Sequence, residues 1–328
     1  MYNIALFGAG RIGKVHSVNI SEHKETRLYS VIDPYLEGAT KLAEKHGAKV
    51  QTTEEALADP NIHGVLIASA TDTHADLVEQ AARAGKAIFC EKPVHLDIKR
   101  VRQCLEIVKE HDVPLFVGFN RRYDPQFRRL QERMEAGSIG KPESLMIISR
   151  DPSAPPSEYI KVSGGLFRDM TIHDFDMARF IMGEDPVSIF AQGSNLVDAG
   201  IGAAGDIDTA FVVMKFPSGS MATISNSRRS GYGYDQRIEV HGETGVLTAK
   251  NILEDTVEQW GENGCVAAKP EFFFLERYST AYKAEWDHFV DVLAGRAVPE
   301  CGGYDGEQAL YLADKALESL NSGQEIQL

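Results

Sequence analysis

The sequence predicts an α/β protein: an N-terminal doubly wound parallel sheet, then an α+β part built on a large, mostly antiparallel open sheet. Three observations predict it. Apolar strand-like runs alternate with amphipathic helical runs through the first 120 residues. Those apolar runs are nearly continuous, which is how parallel strands covered by helices on both faces read. After Lys141-Pro142 the rhythm changes to strand after strand, several of them separated by tight-turn signals.

The N-terminal strand candidates are YNIALFG, TRLYSVID, GVLIASA, KAIFCEKP and PLFVGFN, with helical patterns KVHSVNISE, LEGATKLAEKHG, THADLVEQAARAG and LDIKRVRQCLEIVKEH between them. Gly47 and Gly85 follow helical runs at C-cap positions, where a left-handed residue closes a helix. The later candidates are ESLMIISR, VSIFAQGSNL, DTAFVVMKF, SMATISNSR, QRIEVHG and GVLTAK, with PSGS (217–220) and GETG (242–245) as hairpin turns. VDAGIGAAGD (197–206) reads as a mobile, small-residue loop, and residues 279–295 and 306–323 as amphipathic helices. The expected domains are 1–120 for nucleotide binding and 121–328 for substrate binding and association, the last helix (about 306–320) being free to pack back on the first.

Length bounds the chain at about two domains. Its 328 residues are 43 % hydrophobic and 25 % charged, ordinary for a globular protein, and carry a net charge of −14. That acidity argues against nucleic acid as a partner; the densest basic run, RRYDPQFRR (121–129), reads as a solvated helix face. No apolar run approaches the roughly 20 residues that span a bilayer, and the N-terminus lacks the features of a signal peptide, so a cytoplasmic setting without membrane partners is expected. Cys90, Cys104, Cys265 and Cys301 are scattered without a CxxC pair, which signals neither disulfides nor a zinc site.

Gly8, Ala9, Gly10, Arg11, Ile12 and Gly13 spell GAGRIG between the first strand and its helix. The first glycine permits the tight turn, the second a close approach to a pyrophosphate, the third close helix–strand packing. The helix N-terminus adds N–H donors and a positive dipole end. Asp33 closes the next strand, placed to accept from ribose hydroxyls and to repel a 2′-phosphate, so the expected cofactor is NAD. Thr71 and His74 follow another strand at the ligand edge and are expected to touch the cofactor, with Thr73 as a helix cap. Glu91 and Lys92 stand at the end of KAIFCEKP and join the same set.

Oxidising an alcohol requires a proton acceptor as hydride leaves. His173 has the intrinsic pKa for that work. Asp169, four residues earlier, shares its face if one helix covers both and is suited to orient it, and the Lys92 ammonium favours alkoxide character on the reacting oxygen. Ile172, Phe175 and Ala178 are spaced to face the core, leaving Asp174, Asp176 and Arg179 as the polar side. Asp169, His173 and Asp176 are also metal-ligand types, but this chemistry needs no metal and none is expected.

GAGRIG, EKP (91–93), GFNRRYDP (118–125) and the D-x-x-x-H of Asp169 and His173 together resemble the family of glucose–fructose oxidoreductase, inositol dehydrogenase and rhizopine-catabolism proteins, over essentially the whole chain. The resemblance implies a Rossmann domain and a second domain whose open sheet face makes a homo-oligomer, commonly a tetramer. It implies that Lys92, Asp169 and His173 are catalytic. Residues 149–180 are similar to bacterial members acting on inositol, which implies oxidation of myo-inositol to scyllo-inosose with NAD. A polyol needs several polar partners; besides the three catalytic residues, the candidates are Arg122, Asp151 and Tyr234. A sugar or other polyol dehydrogenase of the family, and a non-catalytic nucleotide-sensing regulator, remain open as alternatives.

Overall fold

A computed structural model describes residues 1–262 and 264–328. They form two compact units: Met1–Asn120 with Ala281–Leu310, and Arg121–Thr280 with Tyr311–Leu328.

The first unit runs β1 (Tyr2–Phe7), α1 (Arg11–Glu22), β2 (Thr26–Ile32), α2 (Leu36–His46), β3 (Lys49–Val50), α3 (Thr53–Ala58), β4 (Gly64–Ile67), α4 (Thr71–Arg83), β5 (Ala87–Glu91), α5 (Ile98–Glu110) and β6 (Leu115–Gly118). Its six strands are parallel in the order β3-β2-β1-β4-β5-β6. This is the doubly wound arrangement the sequence predicts, and the order reverses between β1 and β4, where a ligand crevice opens at the carboxyl ends. Ile4, Leu6, Val65, Ile67, Ile88, Phe89 and Phe116 are fully buried, which is why these strands carry almost no polar residues. The later helix Ser279–Leu293 completes the core, its Trp286 and Phe289 lying against Phe89 of β5.

The second unit contains α6 (Pro125–Glu135), β7 (Pro142–Arg150), α7 (Ser157–Ser163), a π-helical turn (Phe167–Thr171), α8 (Ile172–Met182), β8 (Ser188–Ser194), α9 (Ala199–Ala203), β9 (Thr209–Lys215), β10 (Met221–Ser227), β11 (Asp235–Gly242) and β12 (Gly245–Ala249). Its seven-stranded sheet is ordered β12-β11-β7-β10-β9-β8, ending on the short strand Ile326–Gln327. Among the described residues of this sheet, β7 and β10 are the one parallel pair. Both expected hairpins form, joining β9 to β10 and β11 to β12. Burial alternates along β9 and β10, as expected for a sheet with one covered and one open face.

Two expectations change. Residues 197–206 are anchored: α9 forms there, capped by Asp198, and the Asp208 carboxylate accepts from the N–H groups of Leu196, Val197 and Asp198. Asp174, Asp176 and Arg179 do not form an exposed polar face on α8; all three are buried. Each is paired with an opposite charge, Asp174 with Arg121, Asp176 with Arg122 and Arg179 with Asp185, so apolar periodicity underestimates how much of this helix is covered.

Candidate active site

In the first unit the glycine loop is shaped by backbone contact. Gly8 has φ +104°, and a Cβ there would stand 2.4 Å from the carbonyl oxygen of Ala68 at the end of β4. A Cβ on Gly13 would stand 2.0 Å from the Gly8 oxygen, whereas one on Gly10 would meet nothing within 4 Å. Thus two glycines close the turn and the middle one leaves open space above it. Arg11 opens α1; no side chain caps the helix and no acid lies in its first turn. Ala9 is buried, Ile12 half-buried and Arg11 exposed.

Asp33 ties β2 to this loop. Its Oδ2 accepts from the Ala9 N–H at 2.7 Å and its Oδ1 from the Tyr35 N–H at 2.7 Å. Each carboxylate oxygen has a second lone pair for a ribose hydroxyl. Beside it Ile32, Pro34, Leu36, Val50 and Gln51 line an open cavity of about 430 Å³. A clear cradle, an uncapped helix and a carboxylate beside a cavity fit a dinucleotide.

Lys92 follows β5, two strands from β1 on the same carboxyl edge; it is half-buried, and its bond to Pro93 is cis. Two neighbours expected at the cofactor, Glu91 and His74, make contacts inside the unit, and the expected cap, Thr73, does not cap. Glu91 turns its carboxylate inward, where Oε1 lies 2.7 Å from Nε2 of His16. His74 is buried, with Nδ1 2.9 Å from the Pro93 carbonyl oxygen and Nε2 3.1 Å from that of Ser69. It braces the loops after β4 and β5, and burial holds it below the ordinary histidine pKa. Thr73 does not cap α4, because the helix starts early and Ala70 takes the cap position; its hydroxyl instead donates back to the Ala70 carbonyl at 2.7 Å. Thr71, the first residue of α4, stays half-exposed at the edge.

In the second unit Asp169 lies in the π-helical turn and His173 is the second residue of α8. One helical stretch therefore carries both, and both are half-buried. π-helical turns inside helices are frequent at functional sites. Asp169 accepts from the Tyr159 hydroxyl at 2.8 Å and from Arg228 at 3.0 Å. The same guanidinium reaches Asp151 at 3.3 Å. Arg228 is 3 % exposed and its two carboxylates 24 % and 12 %, so one cation holds two partly covered acids together. Burial raises Asp151 to about 6; Arg228 pulls it down and Asp169 pushes it further up. Tyr159 is also raised, by burial and then by Asp169.

Arg122 and Tyr234 do not join this group. Arg122 is buried in a two-pronged pair with Asp176, at 2.9 and 2.6 Å. Tyr234 is 7 % exposed, packed edge-on against Tyr278 with its hydroxyl 3.5 Å from Arg121. Arg121 binds Asp174 at 2.6 Å, and Asn226 donates to the other Asp174 oxygen at 2.8 Å. Part of the basic run 121–129 is therefore internal scaffolding rather than a solvated face. Sequence alone missed Arg228 and Tyr159. The only hint was a pair of arginines directly after a strand in SNSRR; Tyr159 gave none.

Comparison with known proteins agrees with both units. Residues 2–119 match the model for the oxidoreductase family with an NAD-binding Rossmann fold, and residues 127–248 that for the GFO/IDH/MocA C-terminal domain. The chain belongs to this family of NAD-dependent oxidoreductases, and its cofactor is NAD. It is 48 % identical to an inositol 2-dehydrogenase of Rhizobium meliloti over 98 % of each chain. A crystal structure of a myo-inositol dehydrogenase from Corynebacterium glutamicum superposes with a TM-score of 0.96 at 43 % identity, covering 100 % of this chain and 99 % of that one. A scyllo-inositol dehydrogenase from Lactobacillus casei, solved with NAD(H) and scyllo-inositol bound, gives 0.92 at 26 %, covering 100 % and 99 %. No helix among the described residues is long and apolar enough to cross a membrane.

Proposed function

We propose that the protein oxidises myo-inositol at C2, giving scyllo-inosose and NADH. The observation that carries the substrate is the match to an inositol 2-dehydrogenase at 48 % identity over 98 % of both chains. The polar cluster of the second unit supports it, since a polyol needs several oriented donors and acceptors.

When bound, NAD would supply the hydride acceptor. His173 takes the hydroxyl proton as general base, and Asp169 orients the imidazole or the substrate and favours the cationic form. Asp169 is fixed for that task by Tyr159 and Arg228. Lys92 lends positive charge to the oxygen that becomes the ketone. Asp151, once ionised, accepts a second hydroxyl. Asp33 receives the adenosine ribose, and the glycine loop with the start of α1 receives the pyrophosphate, with Thr71 at the rim.

In this proposal residues 1–120, completed by the returning stretch Ala281–Leu310, are the nucleotide-binding part, and the rest of 121–328 is the substrate-binding and association part. Exposed Met146, Phe211, Val213 and Met221 on the open sheet support a homo-oligomer, with a tetramer favoured by family resemblance. The setting is cytoplasmic.

The test is NADH formation by purified protein with NAD and myo-inositol, beside scyllo-inositol, glucose and NADP. Rapid reduction with myo-inositol and NAD is expected. Activity with glucose alone overturns the substrate. Silence throughout with NAD still bound overturns the enzymatic role.

A further inference from the structure

Below the Lys92 turn, inside the first unit, lies a buried group that the proposed chemistry does not use. His16 of α1, Glu91 at the end of β5 and Glu285 of the helix Ser279–Leu293 each bring a side-chain polar atom within 4.8 Å of the others. His16 and Glu285 are 0 % exposed and the Glu91 side chain 12 %. Both Glu285 oxygens and Nδ1 of His16 are buried without a hydrogen-bond partner, while Nε2 of His16 sits 2.7 Å from Glu91 Oε1. The walls are aromatic: the His16 ring meets Phe89 edge-on at 5.1 Å and Tyr282 at 5.7 Å. On β6, Gly118 leaves room for the Glu91 carboxylate, since a Cβ there would already stand 3.2 Å from Oε2.

Two carboxylates cannot both stay ionised in such a place. An isolated buried charge is so unfavourable that the group neutralises instead. Glu91 has the His16 imidazole beside it, at 2.7 Å, and some contact with solvent. Glu285 has neither, and burial followed by Glu91's charge raises its pKa well above the ordinary range. As a neutral acid Glu285 becomes a donor in a cluster whose other polar atoms, apart from one imidazole N–H, are acceptors.

We propose that Glu285 is a positioning residue: its carboxylic acid donates into the His16–Glu91 pair and so locks the Glu91–Lys92 turn to the helix that follows the glycine loop. The proposal rests on the assignment of Lys92 to catalysis. It explains why a polar residue stands in the apolar stripe between Tyr282 and Phe289. It also links two features of the sequence, GAGRIG and EKP, through a residue almost two hundred positions beyond the second.

Infrared difference spectra and kinetics of Glu285→Gln and Glu285→Leu test it, alongside metal analysis of the wild-type protein. Glu285→Gln keeps a neutral donor and should retain kcat, while removing one protonated-carboxyl band from the wild-type spectrum. Glu285→Leu should lower kcat by about tenfold to a hundredfold, the scale of a small misplacement of a catalytic group, with KM for the polyol and NAD binding little changed. Absence of the band overturns the proposal, as does an equal loss of kcat in both variants. So does a full kcat in Glu285→Leu, or a stoichiometric divalent metal that Glu285→Gln loses. Lys92→Met in the same assays separates the two ideas: full activity there removes Lys92 from catalysis, whereas the band reports on Glu285 alone. If Glu285→Leu fails to fold, the band and the Glu285→Gln rate still decide.

Discussion

The glycine loop and the Asp151–Arg228–Asp169 cluster are built by opposite means. The loop is backbone: two glycines where a Cβ would strike a carbonyl oxygen, and a third that leaves space. The cluster is side chains: a cation at 228 holding acids at 151 and 169, with Tyr159 as a further donor. Backbone sites tolerate few residue types and keep them close in sequence. Side-chain sites are assembled from distant positions, each of which looks ordinary alone.

If that contrast is right, substitutions of the catalytic side chains should lower turnover while NAD still binds, and substitutions in the glycine loop should weaken NAD binding itself. The largest effect is expected in Lys92→Ala and His173→Ala, each lowering kcat by about 10²–10⁴, the range for a positioned proton-transfer group, with NAD binding by calorimetry largely intact. Near-normal turnover in either removes that residue from the mechanism. Arg228→Met should follow, destabilising the fold by about 3–5 kcal/mol because two partly buried carboxylates lose their shared cation. Denaturant unfolding measures it, and a loss below 1 kcal/mol would show the pair to be solvated after all. Gly8→Ala should weaken NAD by about tenfold to a hundredfold, from roughly 1–3 kcal/mol of backbone strain; unchanged NAD affinity breaks the backbone half of the contrast.

Two smaller effects sharpen it. Asp33→Ser should weaken NAD about tenfold, the scale of one lost charged hydrogen bond, and improve NADP; an unchanged cofactor ratio means Asp33 does not hold the ribose. Asp151, raised to about 6, should ionise as pH rises through that value. Polyol KM should therefore fall as pH rises through about 6 and level off above it. Asp151→Asn should flatten this profile, and a profile that survives the substitution assigns it elsewhere.

The same contrast explains what was legible in the sequence. Both sheets, the glycine loop and the Asp33 strand end follow from local patterns, because each depends on neighbours within a few residues. Arg122 and Tyr234 look like substrate ligands from sequence, since a polar residue near a strand end gives no sign of what it faces. Only the fold reveals that Asp176 already holds Arg122, and that Tyr234 is packed on Tyr278. Glu91 and His74 likewise stand beside a ligand edge in sequence, and only the fold reveals their internal partners, His16 and the Pro93 carbonyl. Arg228 stayed hidden because its partners are 77 and 59 residues away.

The most direct test of the central claim uses myo-inositol deuterated at C2, with NAD and the purified protein. The account predicts that the deuterium is recovered in the reduced cofactor, with scyllo-inosose as the other product. Deuterium retained in the oxidised polyol would place the chemistry at a different carbon and contradict it.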